Sequence, residues 1–224
     1  MAIEQATAQV IDFLVASNAL KFGEFTLKSG RQAPFFINTG SFDDGAKIAR
    51  LGEFYAEKLT SLQLNQVDSV FGPAYKGIPL SVATSAALFT RFSLNIGFTF
   101  NRKEAKTRGE GGFLVGKPLK QGDKVVIVED VVTAGTTLQE VVPMLRDSVG
   151  VDVAGVIILV DRCERGSREC TAVQEAEQDL GIKVHPIVTI HQIVEYLKAP
   201  NTSGIQLSSE MLDKISAYRA QYGA

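Results

Sequence analysis

The chain is poor in the residues that would place it outside the cell or in a membrane. It has two cysteines, Cys163 and Cys170, in 224 residues, too few for a disulfide framework. Their C-x6-C spacing fits neither a C-x-x-C redox pair nor a zinc knuckle, so a reduced, cytoplasmic setting is expected. The two histidines, His185 and His191, match no common zinc spacing and are read as structural. Long apolar runs are also missing: the longest, 153–160, is about half of the ~20 residues that a helical span needs. Residues 1–20 carry Glu4 and Asp12 with no basic residue before Lys21, unlike the positively charged start of a signal peptide. No association with a membrane is expected. Charge of one sign is scarce as well. With 23 basic and 25 acidic residues, the net charge is -2, which excludes a partner held by a general basic surface, nucleic acid above all.

What is present suits a globular fold. Hydrophobic residues are 45% and charged residues 21% of the chain, and a chain of this size buries about 70% of its unfolded surface. No linker, repeat or low-complexity stretch divides it, so one domain over residues 1–224 is expected. Residues 2–19 read as a helix. Residues 25–31 read as a strand entering a turn, and 35–37 as a second short strand. Asp43 or Asp44 can cap a helix carrying Ile48, Leu51, Phe54 and Tyr55 at helical spacing. A βα rhythm follows. Strands are expected at 67–71, 95–101, 124–128, 153–160 and 184–188, with helices at 78–89, 136–149 and 172–180. Residues 102–117 are charged and glycine-rich with no apolar period, and a last helix uses Met211, Leu212, Ile215 and Tyr218. Short β-branched runs alternating with helices predict an α/β fold with a mostly parallel sheet flanked by helices. The expected core spans about 65–190, with a small hood from about 1–60 and the C-terminal segment. In such sheets ligands bind at the carboxyl ends of the strands.

One strand end is distinctive. The apolar run 125–128 closes on Glu129 and Asp130, and Val131, Val132, Thr133, Ala134, Gly135, Thr136 and Thr137 then lead into a helix. A helix N-terminus offers unpaired N–H groups and partial positive charge to a phosphate. Small residues let the backbone approach it, and threonines add hydroxyls. Two adjacent acids suit ribose hydroxyls or a magnesium ion carried with its waters. A competing phosphate motif is weaker. Residues 111–117 satisfy G-x4-G-K, but Pro118 stands where a P-loop needs Ser or Thr, and no strand is expected before it.

The 125–137 segment resembles the phosphoribosyl-diphosphate signature of the type I phosphoribosyltransferases. Four further segments are similar to the orotate phosphoribosyltransferases in particular. They are 26–31 with Pro34, Phe35 and Phe36; 71–79 with Tyr75 and Lys76; 101–112; and 161–166 with Arg162. The resemblance implies transfer of a phosphoribosyl group from 5-phosphoribosyl 1-diphosphate to orotate, with Mg2+, in the pyrimidine (UMP) pathway. It implies that Lys28, Tyr75 and Lys76 meet the diphosphate. Glu129, Asp130 and residues 131–137 would hold the ribose and 5-phosphate, with Glu129 and Asp130 reaching the metal indirectly. The backbone of Phe35 and Phe36, Thr133 and Arg162 would select orotate, the arginine through a bidentate pair with its carboxylate.

The catalytic cations implied are Arg102, Lys103, Lys106 and Arg108. Residues 102–108 hold these four and one acid, Glu104, a local sum of +3 in a chain of net -2. Glycines 109, 111 and 112 suit a lid. The resemblance implies that this loop serves the neighbouring subunit of a homodimer. The family pattern reads Lys-Asp-His-Gly-Glu-Gly-Gly here, whereas this chain has Lys106-Thr107-Arg108-Gly109-Glu110-Gly111-Gly112. Arginine keeps the cation and gives up the proton-transfer option of histidine. A purine-specific transferase and a non-catalytic regulator of the same fold are the alternatives. The first would need a different hood, and the second would need a DNA-reading domain or basic face that is not evident. Cys163 lacks a nearby histidine in sequence and is not read as a nucleophile.

Overall fold

The computed structural model describes residues 3–27, 30–64, 66–106, 112–133 and 135–224, with the backbone alone at 105 and 106. The elements follow in chain order: α1 Gln5–Ala16, β1 Leu20–Thr26, β2 Gln32–Ile37, α2 Gly45–Ser61, β3 Ser69–Gly72, α3 Gly77–Phe92, β4 Gly97–Lys106, β5 Gly112–Gly116, β6 Lys124–Glu129, α4 Thr136–Val149, β7 Asp152–Asp161, α5 Ala172–Leu180, β8 Val184–Thr189, α6 Ile190–Leu197 and α7 Ser209–Tyr222. Six strands form one sheet in the order β5-β4-β3-β6-β7-β8, and β1 and β2 form a separate hairpin. Every neighbouring pair of the large sheet is parallel except β4–β5. Among the described residues no helix is long and apolar enough to cross a membrane.

The strands read as continuous apolar runs because both faces of the sheet are covered. Side chains alternate along a strand. Val126, Val128, Ile157 and Leu159 therefore pack with α1, α2, α3 and α6, through residues such as Ile11, Leu51, Leu88 and Ile193. Val125, Ile127, Val156 and Ile158 pack on the opposite face with Leu138, Val142 and Leu145 of α4 and Ala176 of α5. Each such side chain, when fully buried, stabilises the fold by about 1.5–3 kcal/mol.

Three differences from the sequence reading have physical causes. The first helix ends at Ala16 and β1 begins at Leu20, because Leu20–Thr26 pairs antiparallel with Gln32–Ile37, a long-range choice that local periodicity does not reveal. The charged stretch after Asn101 is not a plain loop. β4 runs on to Lys106 and pairs with β5, so polar residues stand on a two-stranded arm at the sheet edge. Gly112–Gly116 is thus a strand, which removes the P-loop geometry. Finally, α2 lies inside the segment expected to form a hood, yet Leu51, Phe54, Tyr55 and Leu59 pack on the sheet. Its N-cap is Asp44, whose side chain accepts from the Lys47 N–H at 2.8 Å.

Strand order places the site. From β3 the chain moves to β4 on one side, and then returns to β6 on the other. At this reversal the connections leaving β3 and β6 diverge and open a crevice at the strands' carboxyl ends.

Candidate active site

A cavity of about 1200 Å³ fills that crevice. Its walls come from the ends of β3 (Tyr75, Lys76), β6 (Glu129–Thr133) and β7 (Asp161, Arg162), and from the hairpin (Arg31, Phe36). The turn after β3 is tight. A Cβ on Gly72 would fall 1.9 Å from the Gly77 carbonyl oxygen, so only glycine allows the chain to fold back there. The Ala74–Tyr75 peptide is cis, and the Ala74 N–H donates to Asn101 Oδ1 at 2.9 Å, which ties this turn to β4. Lys76 and Tyr75 are exposed at the cavity wall.

On the β6 side the two acids have different roles. Asp130 Oδ2 accepts from Lys76 Nζ at 2.8 Å and from the Thr39 hydroxyl. Lys76 also donates to Thr39 Oγ1 at 2.9 Å, and Asp130 Oδ1 accepts from the Val131 N–H at 2.8 Å. Burial alone would raise the Asp130 pKa, but the hydrogen bonds from Lys76 and Thr39 outweigh it and hold the carboxyl below its usual range. Among the described residues Glu129 has no such cation in contact. Burial, then the adjacent Asp130 charge, push it up to about 8. One carboxylate is thus anionic and one largely protonated near neutral pH, both on the same strand end. The Tyr55 hydroxyl of α2 fixes that end by donating to the Glu129 carbonyl oxygen at 2.6 Å.

Beyond Asp130 the loop opens into α4. Gly135 occupies the N-cap at φ 70°, a left-handed conformation that favours glycine. Thr133 and Thr137 face the cavity with Val131 and Val132, and Gly135 and Thr136 begin the helix. No side chain caps this helix N-terminus, so its free N–H groups remain available to an anion. Ala134 lies outside the described residues.

A magnesium ion held directly by the protein does not fit this donor set. Among the described residues there is no group of three His, Cys, Asp or Glu side chains placed to ligate one. Asp130 is committed to Lys76, Thr39 and Val131, and Glu129 is largely neutral. The residues do fit an ion carried on ligand oxygens, with the two acids acting through ribose hydroxyls or water.

The opposite side of the cavity is built from distant segments. Arg162, 8% exposed, sits with its guanidinium 4.5 Å above the Phe35 ring. Its Nε and Nη2 both donate to Glu164 Oε1, at 3.0 and 2.5 Å. Arg31 Nη1 is 3.7 Å from the other Glu164 oxygen. The Phe35 side chain does not line the cavity: it is fully buried in the core, packed edge-on to Tyr218 of α7, and serves as a floor under Arg162. Strand alternation is the reason, since Phe36 next to it points to the cavity and Phe35 therefore points away.

The expected catalytic cations stand elsewhere. Arg102 and Lys103 lie on the β4 arm and do not border this chain's own cavity. Lys106 ends β4. Lys28 and Arg108 lie outside the described residues. His185 and His191 are also away from the cavity, and burial lowers the pKa of both. Burial pushes the Cys163 thiol up to about 12, which keeps it protonated and non-nucleophilic. Sequence reasoning missed Thr39 and Glu164. Thr39 stands in no motif. Glu164 was inside the 161–166 segment, and its adjacency to Arg162 was the one available signal.

A family model described as a phosphoribosyl transferase domain matches residues 38–185. The orotate phosphoribosyltransferase of Clostridium beijerinckii is 46% identical over 217 residues, covering 96% of this chain and 97% of that protein. The chain belongs to the orotate phosphoribosyltransferase family. A second member, from Bifidobacterium animalis subsp. lactis, is 47% identical over 236 residues, with 99% of each chain covered. The crystal structure of the orotate phosphoribosyltransferase of Francisella tularensis superposes with a TM-score of 0.85 at 37% identity, covering 97% of this chain and 100% of that one. The likeness to these orotate phosphoribosyltransferases therefore spans the hairpin and terminal helices as well as the sheet.

Proposed function

We propose that the cavity transfers the phosphoribosyl group of 5-phosphoribosyl 1-diphosphate to orotate, giving orotidine 5'-monophosphate and diphosphate. The bond from ribose C1 to the diphosphate oxygen breaks as a bond from C1 to the orotate ring nitrogen forms. One observation carries the reading: a cation, an acidic strand end, an uncapped helix N-terminus and a buried arginine surround a single cavity. The 5-phosphate would rest on the Thr133–Thr137 loop. Asp130 would accept from ribose hydroxyls, and Lys76 would turn from Asp130 to the diphosphate. Arg162 would pair with the orotate carboxylate, with Phe36 against the ring. Positive charge on C1 and negative charge on the departing diphosphate both grow in the transition state, so positioning and fixed cations supply most of the acceleration. Glu129 and Asp130 would stand by a Mg2+ ion carried in with the substrate, reaching it through ribose hydroxyls or water, and such an ion would add positive charge beside the leaving group.

The remaining cations would come from a second copy. α3 presents Val82 and Phe89 to solvent, 39% and 60% exposed, close in sequence to Tyr75 at 72%. An apolar helix face beside a charged β4–β5 arm suits a homodimer in which Lys103, Lys106 and Arg108 reach the neighbouring site. With two free cysteines, a reduced cytoplasmic location suits the protein. The test is diphosphate release from 5-phosphoribosyl 1-diphosphate with orotate, adenine or hypoxanthine, each with and without Mg2+. Mg2+-dependent release with orotate alone is expected. Release with a purine and not with orotate would overturn the assignment.

A further inference from the structure

The Arg162 guanidinium does not hold itself in place. Glu164 Oε1 accepts from Arg162 Nε and Nη2 and also from the Tyr218 hydroxyl, at 2.8 Å. Its other oxygen faces Arg31, whose guanidinium lies 4.9 Å from the centroid of the Tyr222 ring. Tyr218 and Tyr222 pack on one another with centroids 5.0 Å apart, and Tyr218 meets Phe35 edge-on. Backbone bonds close the arrangement, since the Arg165 N–H donates to the Tyr222 carbonyl at 2.7 Å. One carboxylate is therefore shared by two arginines, both of which line the cavity. The pair keeps a net positive charge of one toward a ligand, and the last helix sets its geometry.

We propose that Glu164, held by Tyr218 of α7, is a positioning residue that fixes Arg162 and Arg31 for a carboxylated base, so that the C-terminal helix takes part in base selection. This rests on the reading that Arg162 meets the base. Glu164 is suited to the task because one carboxylate oxygen that accepts from both Nε and Nη2 restrains the orientation of the guanidinium as well as its position. A tyrosine from another element fixes the carboxylate in turn, and a group that reaches the ligand only through others acts on binding geometry before it acts on chemistry.

The experiment is initial-rate kinetics on the full chain for Tyr218→Phe, Glu164→Gln, Arg162→Ala and Glu164→Gln combined with Arg162→Ala. Loss of the tyrosine hydroxyl should raise the KM for orotate about five-fold, the effect of one hydrogen bond. Glu164→Gln should raise it about ten-fold or more. The KM for 5-phosphoribosyl 1-diphosphate should stay within about two-fold in both, and kcat should change little. In the Arg162→Ala background, Glu164→Gln should add clearly less than it does alone, leaving only the part that acts through Arg31. Tyr218→Phe is the milder change and decides the matter if Glu164→Gln fails to fold. An unchanged orotate KM in the folded variants, equal losses for both substrates, or a full additional loss in the Arg162→Ala background would overturn the proposal. If Arg162→Ala itself leaves the orotate KM unchanged, the underlying reading of Arg162 fails instead, and the positioning role falls with it.

Discussion

The two ends of the cavity are built in opposite ways. At the end proposed for the sugar phosphate, Glu129, Asp130, Thr133, Gly135 and Thr137 come from one strand–loop–helix unit, and Lys76 from the adjacent turn. At the end proposed for the base, Arg31 and Phe36 come from the hairpin, Arg162 and Glu164 from the end of β7, and Tyr218 and Tyr222 from the last helix. The first end is a local motif on a buried sheet. The second is assembled across nearly the whole chain. A phosphate and a ribose can be met by backbone N–H groups and a strand end, which a short segment supplies. A planar carboxylated ring needs a guanidinium held in one orientation, and that requires support from several directions.

Changes at each end should therefore affect different substrates. The largest effect is expected for Asp130→Asn, which removes the anionic partner of Lys76 and the acceptor proposed for the ribose. Its kcat/KM for 5-phosphoribosyl 1-diphosphate should fall about 100-fold, with the orotate KM nearly unchanged, in steady-state assays of diphosphate release. Arg162→Ala should do the converse and raise the orotate KM about ten-fold or more, with the donor KM within about two-fold. A comparable rise in both KM values for either variant would break the comparison.

Two smaller effects sharpen it. The folded chain keeps a proton on Glu129 up to about pH 8, whereas an unfolded glutamate releases it near pH 4.3. The folded state thus binds more protons between these values, and this group makes stability fall as pH rises through that window. Glu129→Gln should then melt at higher temperature than the parent at pH 8, by roughly 1–2 kcal/mol of stability, and the difference should close by about pH 4. Thermal unfolding followed by circular dichroism at the two pH values reads it. The smallest effect is expected for Arg108→His. It should retain activity within about three-fold below pH 6.5 and lose it as pH rises through the histidine pKa. If Arg108→Ala matched the parent in rate and pH profile, the electrostatic role of Arg108 would be refuted.

The same contrast explains what was legible in the sequence. The βα rhythm and the helices Thr136–Val149 and Ala172–Leu180 followed from local apolar spacing, because the central strands β3, β6 and β7 are largely buried on both faces and each of these helices on one. The acidic pair and the loop expected to hold a phosphate were legible because they are contiguous. Three features were not. The β4–β5 arm has no apolar period, since its residues face solvent at a sheet edge, so its strands are set by pairing alone. The direction of Phe35 depends on the register of β1 against β2, which no local pattern fixes. The bonds of Thr39 to Asp130 and of Tyr218 to Glu164 join residues 91 and 54 positions apart, and polar contacts at that separation leave no periodic trace.

The central claim is that a locally built donor end and a globally built base end act on separate substrates across one cavity. The measurement that tests it most directly is the double variant Asp130→Asn with Arg162→Ala, compared with each single variant by kcat/KM for orotidine 5'-monophosphate formation. Independent ends predict that the two losses multiply, with the corresponding free energies adding to within about 0.5 kcal/mol. A double variant no worse than the poorer single variant would contradict the account, because it would show that the two ends act as one unit.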